Sequence, residues 1–265
     1  MTAIILAFST YTRIPMCRVS DEKAERSLKW ILCAFPLTGI VLGFIQFAAF
    51  YLMRMRHVHT AAAAAILTVI PLIYTGGIHF DGLMDVADAL SSYKDKDEKI
   101  RILKDPHIGA FAVIHAIIYI LLYFAALSSI YDRRILLYAI PFIYPAGRVM
   151  TALLLITGRE DKGSGMAGSM TKDAGDVKRM LIILLVLQLV LYVGGMFAFV
   201  VLHGIGFRFY FVAAAVIIAS ALFYIFRREK YIREFGRLSG DMAGDMLCRI
   251  ELLCLLILAA GGLIM

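Results

Sequence analysis

The sequence predicts an all-α integral membrane protein, a single polytopic domain over residues 1–265 with about seven transmembrane helices. Three observations predict it. Hydrophobic residues make up 61% of the chain and mean hydropathy is +0.82, more apolar surface than a soluble domain can hide but what lipid accepts as a solvent. Charged residues are only 18%, below the roughly 25% of soluble domains. The apolar residues also lie in seven continuous runs, at about 32–53, 61–78, 108–130, 135–157, 180–202, 207–226 and 247–265. Backbone groups in lipid must pair within their own segment, so such runs are helices.

Taken in order, the first element is not a span. Ala3 to Phe8 is apolar but too short to cross a bilayer, and no basic stretch precedes it as in a signal peptide. It reads as an interfacial or re-entrant segment. The charges between the runs then set orientation. Lys and Arg number five in each of residues 1–31, 79–107, 158–179 and 227–246, but two, two and none in the alternate turns. Twenty against four places the N-terminus in the cytoplasm and the C-terminus outside. Eighteen of the twenty acids, all but Asp132 and Glu251, fall in the same segments. The working face is therefore cytoplasmic. This placement also answers the net charge of +7: the excess follows membrane topology, and no nucleic-acid partner is implied. The four cysteines form no CxxC pair and read as free thiols.

The stretch following the second run is the most informative. In Gly76-Gly77-Ile78-His79-Phe80-Asp81-Gly82-Leu83-Met84-Asp85-Val86-Ala87-Asp88, the aspartates recur at i, i+4, i+7 and share one helix face. Three anions on one face repel unless a cation sits there. Hard oxygen ligands suit Mg²⁺, which is usually held by a few carboxylates together with substrate phosphates. The plain alternative is a solvated acidic face, but the residues between the aspartates are apolar. His79 is near enough to join the cluster or orient a phosphate. Lys94 to Lys99 reads as a solvated loop. Lys104-Asp105-Pro106-His107 is a substrate-site candidate, with Pro106 starting the third span and His107 near that helix N-terminus, where anions bind.

Three further places carry polar residues of interest. Arg148 lies deep in the fourth run, a functional or ion-pair position by default, with Glu251 as its natural partner. Gly163-Ser164-Gly165-Met166-Ala167-Gly168 has no strand before it, which excludes a dinucleotide fold. It can be a flexible linker, or its amides can cradle a phosphate. Gly240-Asp241-Met242-Ala243-Gly244-Asp245 opens the seventh run, and Asp241, Asp245 and Glu251 read as a second set of carboxylates for the cytoplasmic rim.

These residues resemble the cobalamin synthase family, the adenosylcobinamide-GDP ribazoletransferases, nearly end to end. The resemblance runs from Phe8-Ser9-Thr10 and Thr12-Arg13-Ile14-Pro15, through Phe35-Pro36-Leu37-Thr38-Gly39, to Ile102-Leu103-Lys104-Asp105 with Ile108-Gly109, Arg148, and Gly240-Asp241 with Gly244 and Glu251. Its strongest element is the Gly76 to Asp88 stretch, similar to the family's G-G-x-H-x-D-G-L-x-D-x-x-D. Pro106-His107 stands where the family usually has Ser-Arg. Met242-Ala243 and Asp245 depart from its Gly-Asp-Thr-Leu-Gly-Ala, so Asp245 is not carried over. The resemblance implies a Mg²⁺-dependent transferase in a bacterial or archaeal cell membrane. The hydroxyl of α-ribazole, or of its 5′-phosphate, would attack the cobinamide-side phosphorus of adenosylcobinamide-GDP and release GMP. It implies Asp81, Asp85 and Asp88 as metal ligands with Asp241 contributing, and His79, Asp81 and Asp85 as catalytic. Arg13, Lys104, Asp105, Arg148, Gly163, Gly165 and Asp241 would bind substrate. Assembly into a homo-oligomer is left open. Two rivals are a CDP-alcohol phosphotransferase, whose D-x-x-D-G-x-x-A-R pattern is missing here, and a membrane transporter using Arg148 and Glu251.

Overall fold

The computed structural model describes residues 1–133, 138–157, 178–202 and 208–262. Every regular element among the described residues is a helix, with no strand among them. In chain order the helices are α1 (Thr2–Tyr11), α2 (Asp21–Ser27), a 3₁₀ turn (Leu28–Trp30), α3 (Ile31–Met55), α4 (Thr60–Thr75), α5 (Ile78–Ser91), α6 (Lys96–Ile102), α7 (Ala110–Tyr131), α8 (Ile140–Thr157), α9 (Lys178–Leu202), α10 (Arg208–Phe235) and α11 (Gly240–Gly262).

By length and composition, five of the described helices can cross a membrane: α3, α7, α8, α9 and α10. A sixth exists only if α4 and α5, bent by 95°, count as one broken span. Two of the seven expected runs fall short of that test. The run at 61–78 ends as a helix at Thr75 and turns sharply. The run at 247–265 belongs to α11, which begins earlier, at Gly240, and carries Asp241, Asp245, Arg249 and Glu251. Similarly, α10 continues to Phe235, nine residues past the apolar run, because its charged end is held by neighbours. The ten-residue α1 is too short to span and lies against α3.

The tightest seam joins α3 to α8. A Cβ on Gly39 would lie 2.7 Å from Pro145 N, and one on Gly43 would lie 2.8 Å from Pro141 O. Small residues four apart let two backbones touch, the usual way helices associate in lipid. The prolines lend themselves to this, since they carry no N–H to satisfy.

At one end of the bundle Thr60 Oγ1 donates to Asp132 at 2.9 Å, and Tyr131 OH to Val58 O at 3.2 Å. Inside it, Gln46 Nε2 donates to Leu67 O at 2.8 Å, Tyr74 OH to Thr38 O at 2.8 Å, and the Tyr123 and Tyr144 hydroxyls pair at 2.8 Å. Such bonds substitute for the hydrophobic driving force that lipid does not supply. The opposite end gathers the charged segments.

Candidate functional site

The site begins with a corner. Gly76 and Gly77 have φ of 65° and 81°, a left-handed pair that glycine adopts without strain. Their amides close the end of α4 on Ile73 O and Leu72 O, and the chain leaves at 95°. Arg13 is fastened over this corner. Its amide donates to Tyr74 O at 2.8 Å, and its Nε lies 2.3 Å from where a Cβ on Gly76 would sit. The Thr12 hydroxyl steadies the segment by donating to Phe8 O and accepting from Ile14 N.

Beyond the corner, α5 crosses α11 with backbones in contact. A Cβ on Gly82 would meet Asp241 O at 2.6 Å, and one on Gly244 would meet His79 O at 2.8 Å. This crossing brings Asp241 to the acidic face of α5. The Asp85 carboxylate is repelled by Asp81, Asp241 and Asp88 together. Asp88 presses on Gly109, where a Cβ would be 2.0 Å from its Oδ1. Gly109 caps the start of α7 and Asp241 lies in the first turn of α11. Two helix N-termini therefore face the carboxylates and favour negative charge there.

Between α5 and α7 is a cavity of about 20 Å³ lined by Asp81, Met84, Asp85, Asp88, Ile102, His107, Ile108, Gly109 and Ala112. That is room for one water-sized occupant. The carboxylates form a row rather than a cage. Asp81 and Asp88 are about 10 Å apart along the helix, and among the described residues no three His, Cys, Asp or Glu side chains stand close enough to ligate one ion. The donor set is nonetheless hard oxygen throughout, which fits Mg²⁺ held by one or two carboxylates with water and phosphate completing its shell.

His79 does not join this row. It lies on the other face of α5, buried between the rings of Tyr11 and Phe35 at 5.7 and 5.5 Å. Its Nε2 is buried with no hydrogen-bond partner among the described residues. The next cation inward is Arg148, whose guanidinium lies 5.6 Å from the Phe35 ring.

Arg148 has the partner its sequence position called for. Nη1 donates to Glu251 Oε1 at 2.7 Å and Tyr144 O at 3.0 Å, and Nε donates to Thr38 Oγ1 at 3.1 Å. Both charged side chains are enclosed, at 1% and 6% exposure. Glu251 is thus a mid-bundle residue and not part of a rim. Asp245 is also removed from the rim: it is fully buried and bonded to Arg227, Tyr231 and Arg249. Of the three acids read as a second carboxylate set, only Asp241 reaches the first.

Lys104, Asp105 and His107 lie at the rim, exposed. Helix α7 starts at Ala110 with Gly109 as its cap, so Pro106 and His107 precede it instead of starting it. Asp105 accepts from the His107 amide at 2.9 Å and pairs with its Nδ1 at 2.6 Å. The backbone bond first, then the ring, holds the Asp105 carboxyl below its ordinary range. Gly163 and Gly165 lie outside the described residues.

One site-forming element escaped the sequence reading. Residues 94–99 are no solvated loop: Asp95 caps α6, and Lys99 is buried on Glu234 of α10 at 2.6 Å. This pair ties the segment bearing Lys104 and Asp105 to the rest of the rim. The only sequence signal was α6's own capping pattern.

The family model described as cobalamin-5-phosphate synthase matches residues 3–259. Among curated relatives, the adenosylcobinamide-GDP ribazoletransferase of Lachnoclostridium phytofermentans is 34% identical over 268 residues, covering 100% of this chain and 96% of that protein. The protein of the same name from Clostridium perfringens strain SM101 is 30% identical over 97% of this chain and 96% of its own. That of Clostridium botulinum strain Alaska E43 is 34% identical over 91% and 90%. No solved structure matches.

Proposed function

This chain belongs to the cobalamin-5-phosphate synthase family, and from that premise we propose how its rim performs the reaction named for its relatives. The chain is a transferase of cobalamin synthesis. It joins adenosylcobinamide-GDP to α-ribazole, or to α-ribazole 5′-phosphate: a ribazole hydroxyl oxygen bonds to the cobinamide-side phosphorus, the bond to the GMP phosphate breaks, and GMP leaves. The observation that carries the reading is the convergence of Asp81, Asp85, Asp88 and Asp241 from two helices whose crossing needs glycine, with the half-buried Asp85 repelled by the other three. Such an arrangement is tolerable when it holds a cation and, through it, a pyrophosphate.

Asp85 with Asp81 or Asp88 would hold Mg²⁺, and Asp241 would complete the set. The ion, when bound, neutralises charge building on the phosphoryl and leaving oxygens. Arg13 over the Gly76-Gly77 corner and the exposed Lys104 would supply fixed positive charge to the phosphates. A rim carboxylate oxygen takes the proton of the attacking hydroxyl, while His79, enclosed by aromatic rings, positions the start of α5. Arg148 holds α8 to α11 beneath the rim.

We also place the rim in the cytoplasm of a bacterium, with seven crossings. The segregation of twenty basic residues against four supports the orientation. Helix α11 serves as the seventh span because its inner charges are paired, Asp245 with Arg227 and Arg249, and Glu251 with Arg148. Cysteines placed at Lys96 and Arg233 should resist an impermeant thiol reagent in intact cells and react after lysis. The reverse pattern would overturn the orientation. The reaction is tested with purified protein in nanodiscs given adenosylcobinamide-GDP, α-ribazole and Mg²⁺: GMP and cobalamin should form in equal amounts, and absence of either product would refute it.

A further inference from the structure

Away from the carboxylate row, four helices of the bundle enclose a second space. It is a cavity of about 130 Å³ between α8, α9, α10 and α11. Phe142 and Met150 line it from α8, Tyr192 and Met196 from α9, Ile217 from α10 and Ile250 from α11. Ile250 follows Asp241 by nine residues, so the cavity lies about 13 Å along α11 from the rim.

The lining decides what fits. Its polar side chains are Ser220, Cys254 and Tyr192, and the first two bond to each other at 3.4 Å. A buried water needs two to four polar partners, and a cavity of about 150 Å³ walled by Leu, Ile and Phe stays dry and accepts benzene. This one, walled by Phe, Ile, Leu, Val and Met, calls for hydrocarbon. Unbranched side chains such as Met150 and Met196 adapt their shape to such an occupant.

What lies at the mouth identifies the hydrocarbon. Helix α9 packs on α8, and α10 packs on α11. Close to the C-terminal end of α9 and the start of α10, the rings of Phe197 and Tyr210 stack at 5.7 Å. Further along, the two helices frame the cavity from opposite sides. Ala221 lines the cavity and is also exposed on the bundle surface, so the cavity reaches that surface there. Beside it Ile218 and Leu222 are exposed apolar side chains, as are Leu187 and Leu191 on α9. Helices α8, α9 and α10 are each long and apolar enough to cross a membrane, and lipid is the solvent for such a surface. The cavity also adjoins the Arg148–Glu251 pair, since Gly147 and Ile250, which line it, directly precede those residues. A hydrocarbon occupant excludes water from that side of the pair, and its attraction is stronger for that.

We propose that the cavity between α8, α9, α10 and α11 holds the end of a phospholipid acyl chain, admitted from the bilayer between α9 and α10. The proposal depends on the chain lying in a bilayer and not on the reaction at the rim.

The test is photolabelling of the full chain in nanodiscs of phosphatidylcholine, a minority of which carries a diazirine near the end of one acyl chain. Adducts are mapped by peptide mass spectrometry. Wild type should carry adducts on the enclosed Met196 and Ile250 as well as on the exposed Leu187 and Leu191. Ala146→Leu, which fills the cavity, and Ala221→Phe, at its mouth, should each lose most of the inner adducts and keep the outer ones. Ala221 is exposed, so the larger ring there leaves the fold undisturbed. Adducts confined to Leu187 and Leu191 in wild type, or inner adducts undiminished in both variants, would overturn the proposal. So would loss of the wild-type inner adducts on adding α-ribazole, which would assign the cavity to a substrate. Turnover is not the readout, so failure here leaves the proposed reaction untouched.

Discussion

Asp85 and Glu251 are both acids within a helical bundle, and they are placed under opposite rules. Glu251 faces one cation, Arg148, with Tyr144 and Thr38 taking up that cation's other bonds. Asp85 faces three more acids, and among the described residues no cation is bonded to it. The first arrangement is closed: its charges cancel, and removing one partner strands the other. The second is open: its charges cancel only when something enters. A closed pair is for holding helices together, and an open cluster is for holding a ligand.

The widest separation between the two should come from Asp85→Asn. Turnover should fall at least about a hundredfold, the scale of losing a charge-stabilising group in phosphoryl transfer, while thermal stability stays level or rises because a repulsion is gone. EDTA should abolish wild-type turnover without lowering the melting temperature of the protein alone. Full activity in either experiment would break the metal assignment.

Arg148→Met and Glu251→Gln should behave in the reverse manner. Each leaves a lone buried charge or an unpaired partner and should cost about 3–5 kcal/mol of stability, with much of it restored in the double variant. Thermal unfolding of the four proteins measures this. If the double variant is no more stable than the singles, the pair is not closed. Turnover recovered along with stability would mark the pair as purely structural, whereas its continued absence would give Arg148 a part in substrate binding.

Gly82→Ala probes the crossing that joins the two helices of the rim. The added methyl would meet Asp241 O at 2.6 Å, and overpacking of this kind costs about 1–3 kcal/mol. Because the clash pushes Asp241 away from Asp81, the Mg²⁺ concentration needed for half-maximal turnover should rise while the protein still folds. An unchanged Mg²⁺ requirement would remove Asp241 from the set.

The smallest effect belongs to Lys99→Gln, which loosens α6 from α10. The pair is only partly enclosed, so about 1 kcal/mol of stability is at stake after solvent screening. A rise in the KM for adenosylcobinamide-GDP with unchanged kcat would show that the pair positions the Lys104 lip. A change in kcat alone would argue against that.

Much of this was legible beforehand, and what was not has a common cause. Spacing along one helix tells which residues share a face, so Asp81, Asp85 and Asp88 were readable as a row. The depth of Arg148 within its run was enough to call for Glu251. Spacing does not tell what covers a face. His79 is two residues from Asp81, hence on the far side of α5, but only the arrival of Tyr11 and Phe35 encloses it. Asp241 and Asp245 look alike in sequence; one meets α5 and the other α10. The end of the second run is hidden for a related reason. Hydropathy does not register a left-handed glycine pair as a corner, so it carries the run on to residue 78 although the helix ends at Thr75.

The pairing of α11 with its neighbours also bears on how the molecule is made. Asp245, Arg249 and Glu251 sit in one helix, and each charged residue near a helix centre costs about 2.5–3.5 kcal/mol to insert into lipid by itself. Helix α11 follows Arg148 and Arg227 in the chain, so by the time it leaves the ribosome its partners are already in place to receive it. On the proposed seven-crossing reading, its entry into the bilayer is a docking event, with α8 and α10 supplying the partner charges. Asp241 rides on the same helix, and the rim cannot assemble before that docking is complete. Chains ending before α11 would therefore carry Asp81, Asp85 and Asp88 but lack Asp241, and their rim would be incomplete.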